Sequence, residues 1–235
     1  PKSHLAESAR TLRTSLVFAT SEGAPRLIHF TSASPGEGKT TAAVSTAIAF
    51  AQAGSKVLVI DCDLRNPSVH KVFALGNSRG LTHYLAGDVK PAEIAQPTAV
   101  PRLFTITSGP MPPNPVELLS GSKMLDLLRL ATERFDHVVL DSPPVIGLAD
   151  ALVLANLARA TVFVVEPGGT RKGALEGAAR RLEAANARII GAVLQKVGRS
   201  SSGYGYGYGY DYAYHYSYGY GEQIAGVPAT SQSAG

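Results

Sequence analysis

The sequence has a single cysteine, Cys62, in 235 residues. An internal disulfide is therefore excluded, and a reducing compartment is expected. The six histidines are scattered without ligand spacing, which argues against a His/Cys metal site. Long hydrophobic runs are missing. The longest uncharged stretch, residues 40–55, has 16 residues rich in Thr, Ser, Ala and Gln, too short and too polar for a bilayer-spanning helix. No secretory leader is recognisable. The start at Pro1 rather than Met is expected to mark a fragment or processed chain, with room for a membrane portion upstream. Charge is mild, at 17% charged residues and a formal +4, and the densest basic spots are only Arg171-Lys172 and Arg180-Arg181. That is no footprint for nucleic acid. Tyrosine is also withheld: before Gly203 only Tyr84 occurs.

The other nine tyrosines fill "GYGYGYGYDYAYHYSYGYGE", residues 203–222. They are Tyr204, Tyr206, Tyr208, Tyr210, Tyr212, Tyr214, Tyr216, Tyr218 and Tyr220, at every second position. The intervening glycines carry too much backbone entropy for a stable strand, and large apolar side chains are almost absent. Residues 199–235 are expected to be a disordered tail. Such a low-complexity segment either presents many equivalent phenols or associates through aromatic contacts.

Residues 1–198 read as one α/β domain. A helix is expected over residues 1–22, with Leu5, Leu12 and Leu16 as its apolar stripe. Then strands alternate with helices. "RLIHFTSA" is a strand and "TTAAVSTAIAFAQAG" a helix closed by Gly54. "KVLVIDCD" is a buried strand. After a variable middle come the helix "MLDLLRLATERF", the strand "DHVVLDSPP", the helix "LADALVLANLA" and the strand "ATVFVVEP". The helix "GALEGAARRLEAAN" and the strand "ARIIGAVLQKV" complete the domain. Uniformly apolar short strands between amphipathic helices predict a mostly parallel sheet with helices on both faces.

The first strand-to-helix turn is "SASPGEGKTT". Ala33 to Thr40 fits G-x-x-x-x-G-K-[ST], with Ala33 in place of the first glycine. The loop Ser34, Pro35, Gly36, Glu37, Gly38, Lys39, Thr40 and Thr41 is a candidate phosphate cradle. Its two glycines let backbone amides curl toward phosphate oxygens, and the following helix adds its positive end. Lys39 suits the β- and γ-phosphates of ATP, and the Thr40 hydroxyl suits Mg²⁺. A motif that follows an apolar strand and opens a helix predicts a P-loop NTPase.

"VLVIDCDLRNP" sets Asp61 and Asp63 at a strand's carboxyl end, where ligands sit in open parallel sheets. One carboxylate can hold metal-bound water while the other accepts a proton; the alternative is plain strand-end capping. Cys62 between them reads as a small buried hydrophobe. "VVLD" ends a second strand on Asp141, a carboxylate placed for the Mg²⁺ shell.

These segments together resemble the bacterial tyrosine kinases, a family in which a P-loop fold phosphorylates tyrosine. The resemblance covers nearly the whole chain. "SASPGEGKTT" is similar to the family's Walker A, "VLVIDCDLRNP" to its Walker A′ and "VVLDSPP" to its Walker B. "GPMPPNPVELLSGSK", residues 109–123, is similar to a further family segment. "ESARTLR" matches E-x-x-R-x-x-R through Glu7, Arg10 and Arg13, a pattern associated with assembly into a homo-oligomeric ring, an octamer. The resemblance implies transfer of the ATP γ-phosphate to the tail tyrosines in trans. Lys39, Asp61, Asp63 and Asp141 are then the catalytic candidates, with Thr40, Asp63 and Asp141 around Mg²⁺ and Asp61 at the phenol. Arg65 either stabilises transferred charge or pairs with a neighbouring carboxylate. Gln195 stands where relatives more often have Asn near the adenine. The family acts in capsule and exopolysaccharide synthesis and export. Its partner is a transmembrane activator or polysaccharide co-polymerase, fused upstream or separate, so a cytoplasmic position at the inner face of the membrane is implied. Two other readings are a positioning ATPase and a nucleotide-gated scaffold. Positioning ATPases carry a second lysine early in the loop, where this chain has Ser34.

Overall fold

The computed structural model describes residues 4–197. The tyrosine-rich segment read from the sequence lies outside the described residues. The chain opens with α1 (His4–Val17), β1 (Leu27–Ser32), α2 (Lys39–Gln52) and β2 (Val57–Asp61). A stretch of short elements follows: α3 (Val69–Val72), α4 (Leu81–Ala86), α5 (Pro91–Ile94), β3 (Ala95–Pro97), β4 (Leu103–Ile106) and α6 (Pro115–Ser120). Then come α7 (Ser122–Arg134), β5 (His137–Asp141), α8 (Asp150–Leu157), β6 (Ala160–Val165), α9 (Lys172–Ala184) and β7 (Ile189–Leu194).

The strands form one seven-stranded sheet in the order β3-β4-β2-β5-β1-β6-β7. Only the β3–β4 pair is antiparallel. Both faces are covered, and the period of two along each strand shows it. On β2, Leu58 and Ile60 pack with Leu119, Met124 and Leu127, while Val57 and Val59 pack with Ala43, Ala47 and Phe50. On β5, Val138 and Leu140 join the first cluster and Val139 the second. Each fully buried Val, Leu, Ile or Phe stabilises the fold by about 1.5–3 kcal/mol relative to exposure. The small side chains of α2, with Ala42, Ala43 and Ala47 buried, let that helix lie close to the sheet.

Helix α1 packs on α2 through Ala9, Leu12 and Leu16, whereas Leu5 at its first turn is 53% exposed. The buried stripe is thus shifted from the sequence expectation. The variable middle turns out to be a welded corner. Asn77 donates from its carboxamide to Ser108 Oγ and the Gly109 carbonyl, and its Oδ1 accepts from the Gly109 amide at 2.9 Å. Gly80 sits so close that an added Cβ would come within 2.2 Å of the Thr107 carbonyl oxygen. The family-like segment after β4 contributes Met111, Pro112 and Leu118 to a cleft of about 420 Å³ beside α4.

Candidate active site

All parallel strands end on one edge of the sheet, and the register brings the motif residues together there. Asp61 on β2 is the direct neighbour of Asp141 on β5, and Asp141 is the neighbour of Phe30 on β1. The phosphate loop starts four residues after Phe30. Gly36 and Gly38 both have left-handed backbones, with φ of 82° and 92°, a conformation other residues adopt only with strain. Ala33 is buried against Val145 and Ala151, so a methyl group is accommodated where the loop pattern has glycine. Ser34 is half-buried and Pro35 exposed, and Thr41 is exposed on α2. Gln195 lies over Gly38: a Cβ added there would meet the Gln195 Cβ at 3.2 Å. Glu37 is 3% exposed, and its carboxylate accepts hydrogen bonds from the Ser34 amide and the Thr170 hydroxyl.

Lys39 opens α2 and is 8% exposed. Among the described residues its ammonium makes no ion pair within 4.0 Å, although its charge acts on both Asp63 and Asp141. Thr40 Oγ1 donates to Asp141 Oδ2 at 2.6 Å and lies 2.8 Å from Ser68 Oγ. The other oxygen, Asp141 Oδ1, is buried without a hydrogen-bond partner.

The two aspartates of the A′ segment shape their own loop. Asp61 accepts from the amides of Asp63 at 3.2 Å, Ser68 at 3.0 Å and Val69 at 3.0 Å. Asp63 accepts from the Asn66 amide at 3.0 Å. Strand-end capping is therefore part of what both do. Burial raises the Asp61 and Asp141 carboxyl groups well above the ordinary carboxylate range, and for Asp141 the Asp61 charge adds to the rise. Asp63 is raised more gently by burial, with the Asn66 amide and Lys39 pulling it down. Burial also pushes the Cys62 thiol up, as fits an inert packed side chain. Arg65 pairs with the buried Asp150 through two contacts of 3.2 and 3.4 Å, so pairing is the role the geometry gives it. Sequence reasoning missed Ser68, Asp150 and Thr170. Only Asp150 carried a signal, as an acidic first-turn residue.

No cluster of three or more His, Cys, Asp or Glu side chains suited to a metal occurs among the described residues. A Mg²⁺ ion needs no such cage, because it keeps waters and phosphate oxygens around one or two protein ligands. The donor set fits that requirement: the Thr40 hydroxyl, the orphaned Asp141 Oδ1 and the nearby Asp63.

A family model described as an AAA domain matches residues 25–187. The chain is 41% identical over 194 residues to tyrosine-protein kinase YwqD of Bacillus subtilis, covering 83% of this chain and 82% of YwqD. It is 38% identical over 205 residues to tyrosine-protein kinase etk of Escherichia coli, covering 87% of this chain but only 28% of that longer protein. The solved kinase domain of Escherichia coli ETK superposes with a TM-score of 0.80 at 37% identity, covering 86% of this chain and 80% of that one. The septum site-determining protein MinD of Pyrococcus horikoshii, complexed with Mg-ADP, superposes at 0.64 with 24% identity over 75% of this chain and 72% of its own, a likeness of fold alone. Sheet order, glycine loop and strand-end carboxylates define the class, a P-loop nucleotide-binding α/β domain with an AAA-domain match. Within that class, the chain belongs to the bacterial tyrosine-protein kinases.

Proposed function

We propose that residues 1–198 are the kinase domain of a tyrosine autokinase and residues 199–235 its substrate tail. The phosphate loop and Lys39 hold the β- and γ-phosphates of ATP, and the Gln195 side-chain amide reads the adenine. Thr40, Asp63 and Asp141 hold Mg²⁺, which supplies charge neutralisation at the β- and γ-phosphate oxygens. A phenol oxygen from Tyr204–Tyr220 of another copy attacks the γ-phosphorus. The bond from phosphorus to the β–γ bridging oxygen breaks, ADP leaves, and the phenol proton passes to Asp61. Burial raises the Asp61 pKa to about 7, which makes its carboxylate a stronger base near neutral pH. Its Oδ1 carries a single long contact, 3.2 Å from the Asp63 amide, which leaves a lone pair for the phenol.

The observation that carries this reading is the foot of the loop. Lys39 makes no ion pair among the described residues, Asp141 Oδ1 is buried without a hydrogen-bond partner, and Thr40 Oγ1 donates to the other oxygen of the same carboxylate. The relatives' names supply the acceptor, tyrosine. Glu7, Arg10 and Arg13 on α1 form the face on which copies assemble into a ring. The kinase works in polysaccharide synthesis and export at the inner face of the membrane, through a transmembrane activator or co-polymerase. Among the described residues no helix is long and apolar enough to cross a membrane. Incubation with γ-labelled ATP and Mg²⁺ tests the reaction. Label on tyrosine in the wild type and none in Lys39→Met is expected; free phosphate without protein label would instead indicate a positioning ATPase.

A further inference from the structure

Glu37 is a buried carboxylate inside a loop built for anions, and its surroundings explain how that is tolerated. The left-handed Gly36 and Gly38 bracket it in the loop. Its Oε2 accepts from the Ser34 amide at 3.0 Å, and its Oε1 accepts from the Thr170 hydroxyl at 2.6 Å. Thr170 closes the turn after β6: its amide donates to the Glu166 carbonyl at 2.9 Å, and its Oγ1 accepts from the Glu166 amide at 3.2 Å. The Glu166 side chain lies across Gly169, where any Cβ would come within 2.8 Å of it, and its Oε2 accepts from Lys196 Nζ at 2.9 Å. Gln195, next in line, is tied to Val165 through its amide at 2.9 Å and rests on Gly38. The contacts form a closed circuit from Glu37 through Thr170, Glu166, Lys196 and Gln195 back to Gly38.

We propose that Thr170 is a positioning residue for nucleotide: through Glu37 it holds the phosphate loop in its binding shape, and the Glu166–Lys196 pair with Gln195 completes the clamp from the end of β7. Thr170 touches no phosphate. It acts by fixing the loop before nucleotide arrives, so that binding does not have to order it. The inference rests on the nucleotide-binding half of the proposed function and not on tyrosine transfer.

The test uses the full chain. Affinity for a fluorescent ADP analogue is measured beside KM and kcat for label transfer from ATP. Thr170→Val removes a hydrogen bond to a charged group and is expected to raise Kd and KM about tenfold or more. Its kcat should change by less than about twofold, because ground state and transition state lose the same loop order. Thr170→Ser keeps the hydroxyl and should restore both values. In Glu37→Gln the Thr170→Val change should have a smaller effect than in the wild type, because the two act as one unit. Lys196→Ala, at an exposed position that does not threaten folding, should raise Kd about two- to threefold by loosening the outer half of the clamp. Unchanged nucleotide affinity in Thr170→Val and Lys196→Ala overturns the proposal. So does a Thr170→Ser chain as weak as Thr170→Val, or a loss confined to kcat. A wild-type chain that binds ADP but labels no tyrosine contradicts the kinase reading alone.

Discussion

Asp141 Oδ1 is buried and has no hydrogen-bond partner among the described residues. An unpaired buried acceptor costs about 1–3 kcal/mol, and more when charged, so the nucleotide-free site is held against its own stability. Asp141→Asn should therefore leave the nucleotide-free melting temperature unchanged or raise it by about 2–4 °C. The same substitution should reduce Mg²⁺-dependent label transfer about 100-fold or more, because a carboxylate is lost from the metal shell. Lower thermal stability with intact transfer would contradict this. His29 sits one strand further in, its ring nitrogens 2.7 Å from Ser142 Oγ and 3.3 Å from Thr161 Oγ1. Burial lowers its pKa from 6.5 to about 3. Below pH 6.5 the unfolded chain takes up a proton that the folded chain refuses. The His29 contribution is thus fully present above that pH and declines as pH falls toward 3, by about 1.4 kcal/mol per pH unit. Between about pH 7 and about pH 5, urea unfolding should show the wild type losing stability relative to His29→Gln by this amount per pH unit, a difference that cancels the opposite contribution of the raised Asp61 and Asp141 carboxyls. Equal slopes would remove His29 from the account.

Elements differ in how plainly the sequence announces them. β1, β2, β5 and β6 were legible because each is a short, mostly apolar or β-branched segment buried on both faces, and α2, α7 and α9 because they are long enough for a 3.6-residue period. The corner between β2 and α7 was not. Its helices have 4 to 6 residues and its strands 3 and 4, shorter than the window a period needs. What fixes that corner is the Asn77 carboxamide and the close approach at Gly80, neither of which leaves a pattern in sequence. The same holds at the site. Glu37, Thr40 and Arg65 sit in local motifs, but side chains that pair with them lie far along the chain. Ser68 is 28 residues from Thr40, Asp150 is 85 from Arg65, and Thr170 is 133 from Glu37. Helix α1 carries its own expectation. Glu7 and Arg10 pair on its outer side, and Leu5 and Phe18 are exposed at 53% and 81%. If copies assemble on this face as proposed, Arg10→Ala combined with Arg13→Ala should give monomers by light scattering. An unchanged mass would place the interface elsewhere.

At the scale of the whole molecule, a chain with a formal +4 charge carries nine closely spaced tyrosines near its end. From Gly198 to Tyr220 an extended chain spans roughly 70 Å at about 3.3 Å per residue, enough to reach another copy. Three phosphates add about −4.5 to −6 and reverse the sign of the chain. In the proposed ring, tails docked in neighbouring sites should then leave once phosphorylated, and the assembly should loosen. The claim beneath all of this is that the loop holding Lys39 delivers the γ-phosphate to tyrosines of a second copy. The most direct test mixes unlabelled wild-type protein with ¹⁵N-labelled Lys39→Met protein, ATP and Mg²⁺, and maps phosphate by mass spectrometry on the tryptic peptide that follows Arg199. Phosphate on Tyr204–Tyr220 of the heavy peptide is the predicted result; phosphate on the light peptide alone, or on neither, would contradict it.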